Sequence, residues 1–312
     1  MKHNLARGAG LLVTATFFIA LVNALQKFTG ARVPILEVLF FRNLLSLPAI
    51  LAIAVRAKAP VRTQRFGGHV IRAVVGLTSM VMIMVAVTRL PLAEQQVFSY
   101  TQPFFLTLMA FPLLGERPAR GDWAAVVVGF LGVVVVASGK AGGHVGAAVP
   151  VWVYAVALGQ GAVGALTVMQ IRQLLKTESS ATIAFWQAIL MSLFTALPLP
   201  FIWITPAGGD AIWLVAIGVL AGLAQVVQTE AFASARVSSI GPFAYSGLLW
   251  AIPIGWFVFH DAPGASTLLG GALIVGSGVW MLRHDHAAQN RANLQEAKVH
   301  LSQAKVTPTH GA

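Results

Sequence analysis

Two short stretches, Tyr100-Thr101 and Tyr245-Ser246, decide how this sequence is read, because the second repeats the first at an offset of 145 residues. The same offset carries Phe40 onto Phe185, Ala86 onto Ala231, Glu116 onto Asp261 and Pro118 onto Pro263. Each half holds five apolar runs. Because five is odd, a second copy must enter a bilayer from the opposite side, which predicts an inverted repeat with a solute site between the halves. The expected fold class is an all-α integral membrane protein of ten transmembrane helices in two inverted five-helix repeats. The repeats fall at residues 1–145 and 146–284, and a polar cytoplasmic tail follows at 285–312.

Composition points the same way. Hydrophobic residues make up 57% of the chain and charged ones 10%, against about 25% charged in soluble domains. With no cysteine, disulfides, thiolate metal sites and cysteine nucleophiles are excluded. The net charge of +11 lies in short links between apolar runs, so it reports orientation and not a nucleic-acid partner.

Runs long enough to cross roughly 30 Å of hydrocarbon fall at 8–27, 34–55, 68–88, 91–114, 121–139, 150–172, 181–204, 211–232, 238–259 and 265–282. Pro34, Pro60, Pro91, Pro150, Pro206 and Pro263 punctuate the links, as expected where helices start and stop. Lys2 and Arg7 ahead of an apolar run imitate a signal peptide, but the run is too long and no small-x-small cleavage site follows. The first run is therefore read as retained. With the N-terminus inside, cytoplasmic segments hold fifteen Lys and Arg and outside loops four, predicting a multi-pass protein of the cytoplasmic (inner) membrane with both termini cytoplasmic. Small residues at helix-packing spacing, among them Gly218/Gly222 and Ala272/Gly276, suit close packing within the chain or a homodimer face. Leu294, Ala297, Leu301 and Ala304 leave the tail open between a short amphipathic helix and disorder.

Polar groups at membrane depth are costly and therefore informative. Arg42 lies about eight residues beyond Pro34, roughly 12 Å down its span. It reads either as an anchor for a substrate carboxylate or phosphate, with Gln187 at the repeat-related position, or as a structural arginine bonded to carbonyls or to Glu37. Arg72, one turn inside its span, is expected to snorkel to the cytoplasmic interface. Span four carries Glu94, Gln95, Gln96, Ser99, Tyr100, Thr101 and Gln102, a polar face too broad for lipid. Tyr100 and Tyr245, each about half-way down its span, are expected to face each other and grip a substrate, with Trp250 as an aromatic wall. Gln160 is a further candidate and Gln225 a weaker one. Aromatic packing is the competing reading for Tyr100, Tyr245 and Trp250. Glu94 is the candidate proton-coupling acid, since burial lifts a carboxyl toward working pH, or else an acid favoured at a helix start. Glu116 and Asp261 read as helix-start caps. All eight histidines are expected in loops or tails, and no metal site, cofactor motif or catalytic pair is visible.

Four stretches, Glu37-x-x-Phe40-Phe41-Arg42, Leu114-Gly115-Glu116-Arg117-Pro118, Pro242-Phe243-x-Tyr245-Ser246-x-Leu248-Leu249-Trp250-Ala251 and the run from Gly270 to Gly276, carry a resemblance to a known family. With them the chain resembles the EamA-type branch of the drug/metabolite transporter superfamily. The resemblance covers all ten spans and implies a carrier of small metabolites. Asn23-Ala24-x-x-Lys27 is similar to carriers of S-adenosylmethionine or riboflavin. His260-Asp261 departs from the family's Gly-Glu, which puts that loop's geometry in question. The expected function is a secondary active transporter working by alternating access, driven by protons or by exchange. Its partners are a small-molecule substrate, such as an amino acid or an S-adenosylmethionine-like or riboflavin-like compound, and the lipid bilayer. The alternative is a polytopic membrane enzyme or scaffold. An enzyme calls for paired acids, His-rich motifs or a nucleophile at one membrane face, and the sequence offers none.

Overall fold

The computed structural model describes residues 5–56, 58, 62–114, 120–138, 149–234, 240–281 and 283. Among them every regular element is helical. The order is α1 (Leu5–Thr29), α2 (Ile35–Arg56), α3 (Phe66–Arg89), α4 (Leu92–Ser99), α5 (Gln102–Leu114), α6 (Arg120–Ser138), α7 (Val151–Leu174), α8 (Ser180–Ala196), α9 (Leu199–Ile202) and α10 (Gly208–Ser234). A 3-10 helix (Gly241–Ser246) then runs into α11 (Gly247–Phe259), and α12 (Ala265–Met281) follows. Among the described residues seven helical segments are long and apolar enough to cross a membrane: α1, α2, α3, α6, α7, α10 and the continuous run 241–259. Helices α8 and α12 are shorter and equally apolar. The 285–312 tail, the links holding Glu116 and Lys140, and Arg236 lie outside the described residues.

Local chemistry sets the ends. Leu90 is extended because the following Pro91 disfavours helical backbone before it, and Pro91 and Pro150 stand at the starts of α4 and α7. Ser179 caps α8, its Oγ accepting from the Thr182 amide at 3.1 Å. Three expected spans are interrupted. The run 91–114 breaks at Tyr100-Thr101, where Pro103 removes one backbone donor and its ring crowds the carbonyl four residues back. The run 181–204 breaks around Pro198, and the ninth begins as a 3-10 helix carrying Pro242.

The main packing pairs are α1 along α10, α3 along α7, and α2 against both α8 and α10. Glycine makes the α2–α10 approach possible: Gly218 lies against the Phe41 carbonyl and Leu45, and a Cβ on Gly222 would come within 3.0 Å of that of Ala49. Outside, large apolar side chains stand bare, with Phe201 90% and Phe257 75% exposed. Inside, Glu37, Glu94, Gln95 and Gln160 are buried. A protein in water cannot bear that arrangement, whereas lipid requires it.

Candidate functional site

A cavity of about 850 Å³ opens between α2, α3, α7, α8 and α10. Arg42 and Ser46 on α2 line one wall, Arg72 and Met80 on α3 another, and Gln187 on α8 a third. Gln225, Gln228 and Thr229, three and four residues apart on α10, present one face to it. It extends to Lys58, between α2 and α3, and to Ser179, between α7 and α8. Among the described residues no carboxylate lines it.

The two arginines are the unusual members. Arg42 donates through Nη1 to the Met80 thioether at 3.2 Å, a weak acceptor, and its Nε has no partner. It does not pair with Glu37, whose Oε2 instead accepts from the Ile204 amide at 3.2 Å. Arg72 is 5% exposed, and its Nε and Nη1 lack any hydrogen-bond partner. The expectation that Arg72 snorkels to an interface is corrected: its side chain is buried against the cavity. The cause is non-local. The connection after α7 covers the start of α3, with Leu174 against Gly68 and Glu178 against His69, so the side chain lies against the cavity and not on the outer surface of the bundle. Gln187 faces the same cavity and its amide reaches only the Met191 sulfur, at 3.5 Å.

Tyr100 and Tyr245 meet elsewhere, in a packed seam. Their rings cross edge to face with centroids 4.7 Å apart, and the Tyr100 hydroxyl donates to the Tyr245 carbonyl at 3.0 Å. Glycines admit them: Gly278 lies directly beneath the Tyr245 hydroxyl, and an added Cβ on Gly247 would sit 3.0 Å from that of Tyr100. Each tyrosine stands at a helix break, Tyr100 closing α4 and Tyr245 within the 3-10 turn. Gln160 donates to Ser99 Oγ at 2.9 Å, as does Gln95. Trp250 sets its ring edge to Phe17 at 5.2 Å, its Nε1 unpartnered. None of these four candidates, Tyr100, Tyr245, Gln160 and Trp250, lines the cavity.

Glu94 is 4% exposed in the first turn of α4, its carboxylate accepting from Tyr154 at 3.3 Å and Thr267 at 3.2 Å. It joins α4, α7 and α12. Asp261, expected as a cap, instead pairs with Lys27 at 2.6 Å, and Lys27 also donates to the Leu90 carbonyl and lies over the Phe259 ring. Arg32 pairs with Asp210 at 2.8 Å.

One cluster escapes sequence reasoning. Glu178 accepts from Thr63, from the Gln64 amide at 3.0 Å and from His69 Nε2 at 3.2 Å. Burial pushes the Glu178 carboxyl up, but the bonds from Thr63, His69 and Gln64 outweigh it and hold it below the usual carboxylate range. His69 is thus a buried helical residue and not a loop histidine. Only its place in the first turn of α3, beside a short basic link, hinted at such a tie.

The sequence profile of the EamA-like transporter family matches the chain twice, over residues 6–138 and 151–283. The chain is 28% identical over 276 residues to the pseudopaline exporter CntI of Pseudomonas aeruginosa (strain UCBPP-PA14), covering 87% of this chain and 94% of the relative. It is 27% identical over 292 residues to a riboflavin transporter of Brucella anthropi, covering 90% and 100%. Against an S-adenosylmethionine uptake transporter of Rickettsia conorii the identity is 25% over 281 residues, covering 88% and 94%. One solved crystal structure superposes with a TM-score of 0.59 at 20% identity, covering 88% of this chain and 94% of that one. That likeness speaks for the fold alone.

Proposed function

The chain belongs to the EamA-like transporter family and moves a small molecule across a membrane; on that premise we propose that it is a secondary active transporter whose substrate enters the α2–α3–α7–α8–α10 cavity. The observation that carries the reading is the cavity itself. At about 850 Å³ it falls within the range of small-molecule sites, and helices from both halves of the chain build it. Arg42 and Gln187 act there as substrate-binding residues.

The ten-span arrangement, with repeats at 1–145 and 146–284, belongs to the same proposal. Its support is the pairing of helices: α1 on α10 has a counterpart in α3 on α7, while α2 on α8 is its own counterpart. Helices α4 and α5 then make one broken span, and so do the 3-10 turn and α11. By the Lys and Arg distribution both termini are cytoplasmic and the cavity opens inward in the cytoplasmic membrane. Tyr100 and Tyr245, at paired helix breaks, form the closed part of the path and the pivot on which alternating access turns. Gln160 and Trp250 contact substrate when that part opens. Glu94, buried between α4, α7 and α12, is the coupling acid. The exposed Ala272 and Gly276 of α12 suit a homodimer face, which cross-linking through a cysteine at Ala272 would test. The substrate class is a small organic metabolite, such as an amino acid or an S-adenosylmethionine-like or riboflavin-like compound.

The test is uptake and efflux of a labelled metabolite panel in proteoliposomes, with and without a pH gradient. Gradient-driven accumulation of at least one compound is expected. Glu94→Gln should abolish accumulation yet leave substrate exchange, because exchange moves no net proton. Chemical conversion of a panel member without its movement would favour the enzyme reading instead.

A further inference from the structure

We propose that the cavity binds a small organic dianion, with one carboxylate or phosphate held by Arg72 and a second held by Arg42. The proposal rests on reading the cavity as the substrate compartment. Four observations lead to it. Both arginines line the cavity, and among the described residues no carboxylate does. Arg72 is 5% exposed with Nε and Nη1 buried and unpartnered, while Arg42 has a buried, unpartnered Nε and one bond to a thioether. Buried charges are costly unless something answers them. What answers a planar guanidinium fork best is an oxyanion, which accepts two parallel N–H bonds.

The spacing argues for two anionic groups on one molecule. Arg42 reaches Met80, and Met80 lies eight residues beyond Arg72 on α3, about 12 Å along the helix axis. With anchor points that far apart along α3, an extended molecule with an anion at each end matches the pair better than a single carboxylate does. Lys58 at the rim adds a third positive charge on the way in, and Gln225 and Gln228 on α10 supply neutral donors and acceptors. The sequence reading singled out Arg42 alone. Arg72 turns one anchor into two.

A phospholipid headgroup offers the same oxyanion chemistry, so the experiment separates the two sources. The full chain is purified into nanodiscs of phosphatidylcholine alone, and binding of labelled succinate, adipate, suberate and sebacate is measured beside that of the matching diamides. The longer diacids are expected to bind at least tenfold more tightly than succinate and than their own diamides. Arg42→Gln and Arg72→Gln should each lower diacid affinity at least tenfold, toward that of the monoacid octanoate, and Arg42→Lys and Arg72→Lys should recover part of it. Equal binding of diacid and diamide, no diacid binding to the wild type, or full affinity in either Gln variant overturns the proposal. So does a wild type that ignores diacids but is stabilised by phosphatidylglycerol in an Arg72-dependent way, which would give the arginines to a lipid. Transport of a neutral metabolite that persists in both Gln variants would overturn the dianion and leave the carrier reading intact. Diacid binding with the expected arginine dependence, in a protein that transports nothing, supports the site and removes the carrier reading.

Discussion

The tyrosine seam and the arginine cavity sit in one bundle and draw on equally polar residues, yet they treat those residues in opposite ways. In the seam the Tyr100 hydroxyl bonds the Tyr245 carbonyl, Ser99 receives both Gln95 and Gln160, and Glu94 takes two hydroxyls. The acceptors left over are neutral amide oxygens of Gln95 and Gln160. In the cavity the leftover groups are cationic donors on Arg42 and Arg72. Satisfied polar groups fix a geometry and stabilise it. Unsatisfied charges do neither, and on the proposal above a ligand completes their bonding. The two regions should therefore respond to mutation with opposite signs.

The largest effect is expected in the seam. Replacing the buried Tyr100 or the half-buried Tyr245 by Ala removes one ring of an edge-to-face pair beneath which glycines leave no slack. By analogy with other aromatic truncations the loss of unfolding free energy is about 3 kcal/mol. Denaturant titration of the purified variants measures it. Wild-type stability together with lost transport would break the comparison, since the rings would then be substrate surface and not packing.

Next comes the cavity, with the sign reversed. Arg72→Met keeps the length of the side chain and removes a buried charge that has no carboxylate partner. The expected outcome is a gain of about 1–2 kcal/mol in stability together with loss of transport. A destabilised variant would mean that Arg72 supports the fold through contacts its unpartnered nitrogens do not reveal.

The contrast also explains what could be read from the sequence. The all-helical membrane character and the meeting of Tyr100 with Tyr245 were legible because each depends on local pattern or on the 145-residue offset. The break at Tyr100-Thr101 was not foreseen, since 91–114 reads as one apolar run in spite of Pro103, and neither was the 3-10 turn that holds Tyr245. Arg72 was misjudged because depth along a helix decides snorkelling only if the helix end is open, and here the link between α7 and α8 folds over it. His69 and Glu178 come together for the same reason, from positions more than a hundred residues apart. Counting along one span cannot foresee a cover supplied by another.

That cover supplies a smaller test. Glu178 is held below the usual carboxylate range, so its folded value lies under the unfolded one of about 4.3. Its contribution is therefore fully present above about pH 5 and is lost as the pH falls through the lowered folded value. Melting temperature measured from pH 6 downward should fall more steeply in the wild type than in Glu178→Gln, and the difference should be absent near neutrality once the constant loss of the charge is subtracted. Parallel curves would remove the tie over the cavity mouth from the list of stabilising contacts.

The smallest effect belongs to the far end of the seam. His260 follows α11 in the left-handed region, φ 57° and ψ 23°, where an L-residue is disfavoured by roughly 1–2 kcal/mol and glycine is not. The conformation is held from both sides. The His260 amide bonds the Trp256 carbonyl at 3.1 Å and the Asp261 amide bonds that of Gly255 at 3.0 Å, while the Asp261 carboxylate is fixed by Lys27. His260→Gly relieves the steric cost without disturbing any of these bonds. Part of the gain is returned as extra freedom of the unfolded chain, so a net stabilisation of about 0.5 kcal/mol is expected, with transport unchanged because His260 lies away from the cavity. A loss of stability instead would show that the exposed imidazole contributes more than its backbone conformation costs, and would explain why this chain departs from the Gly-Glu pattern there.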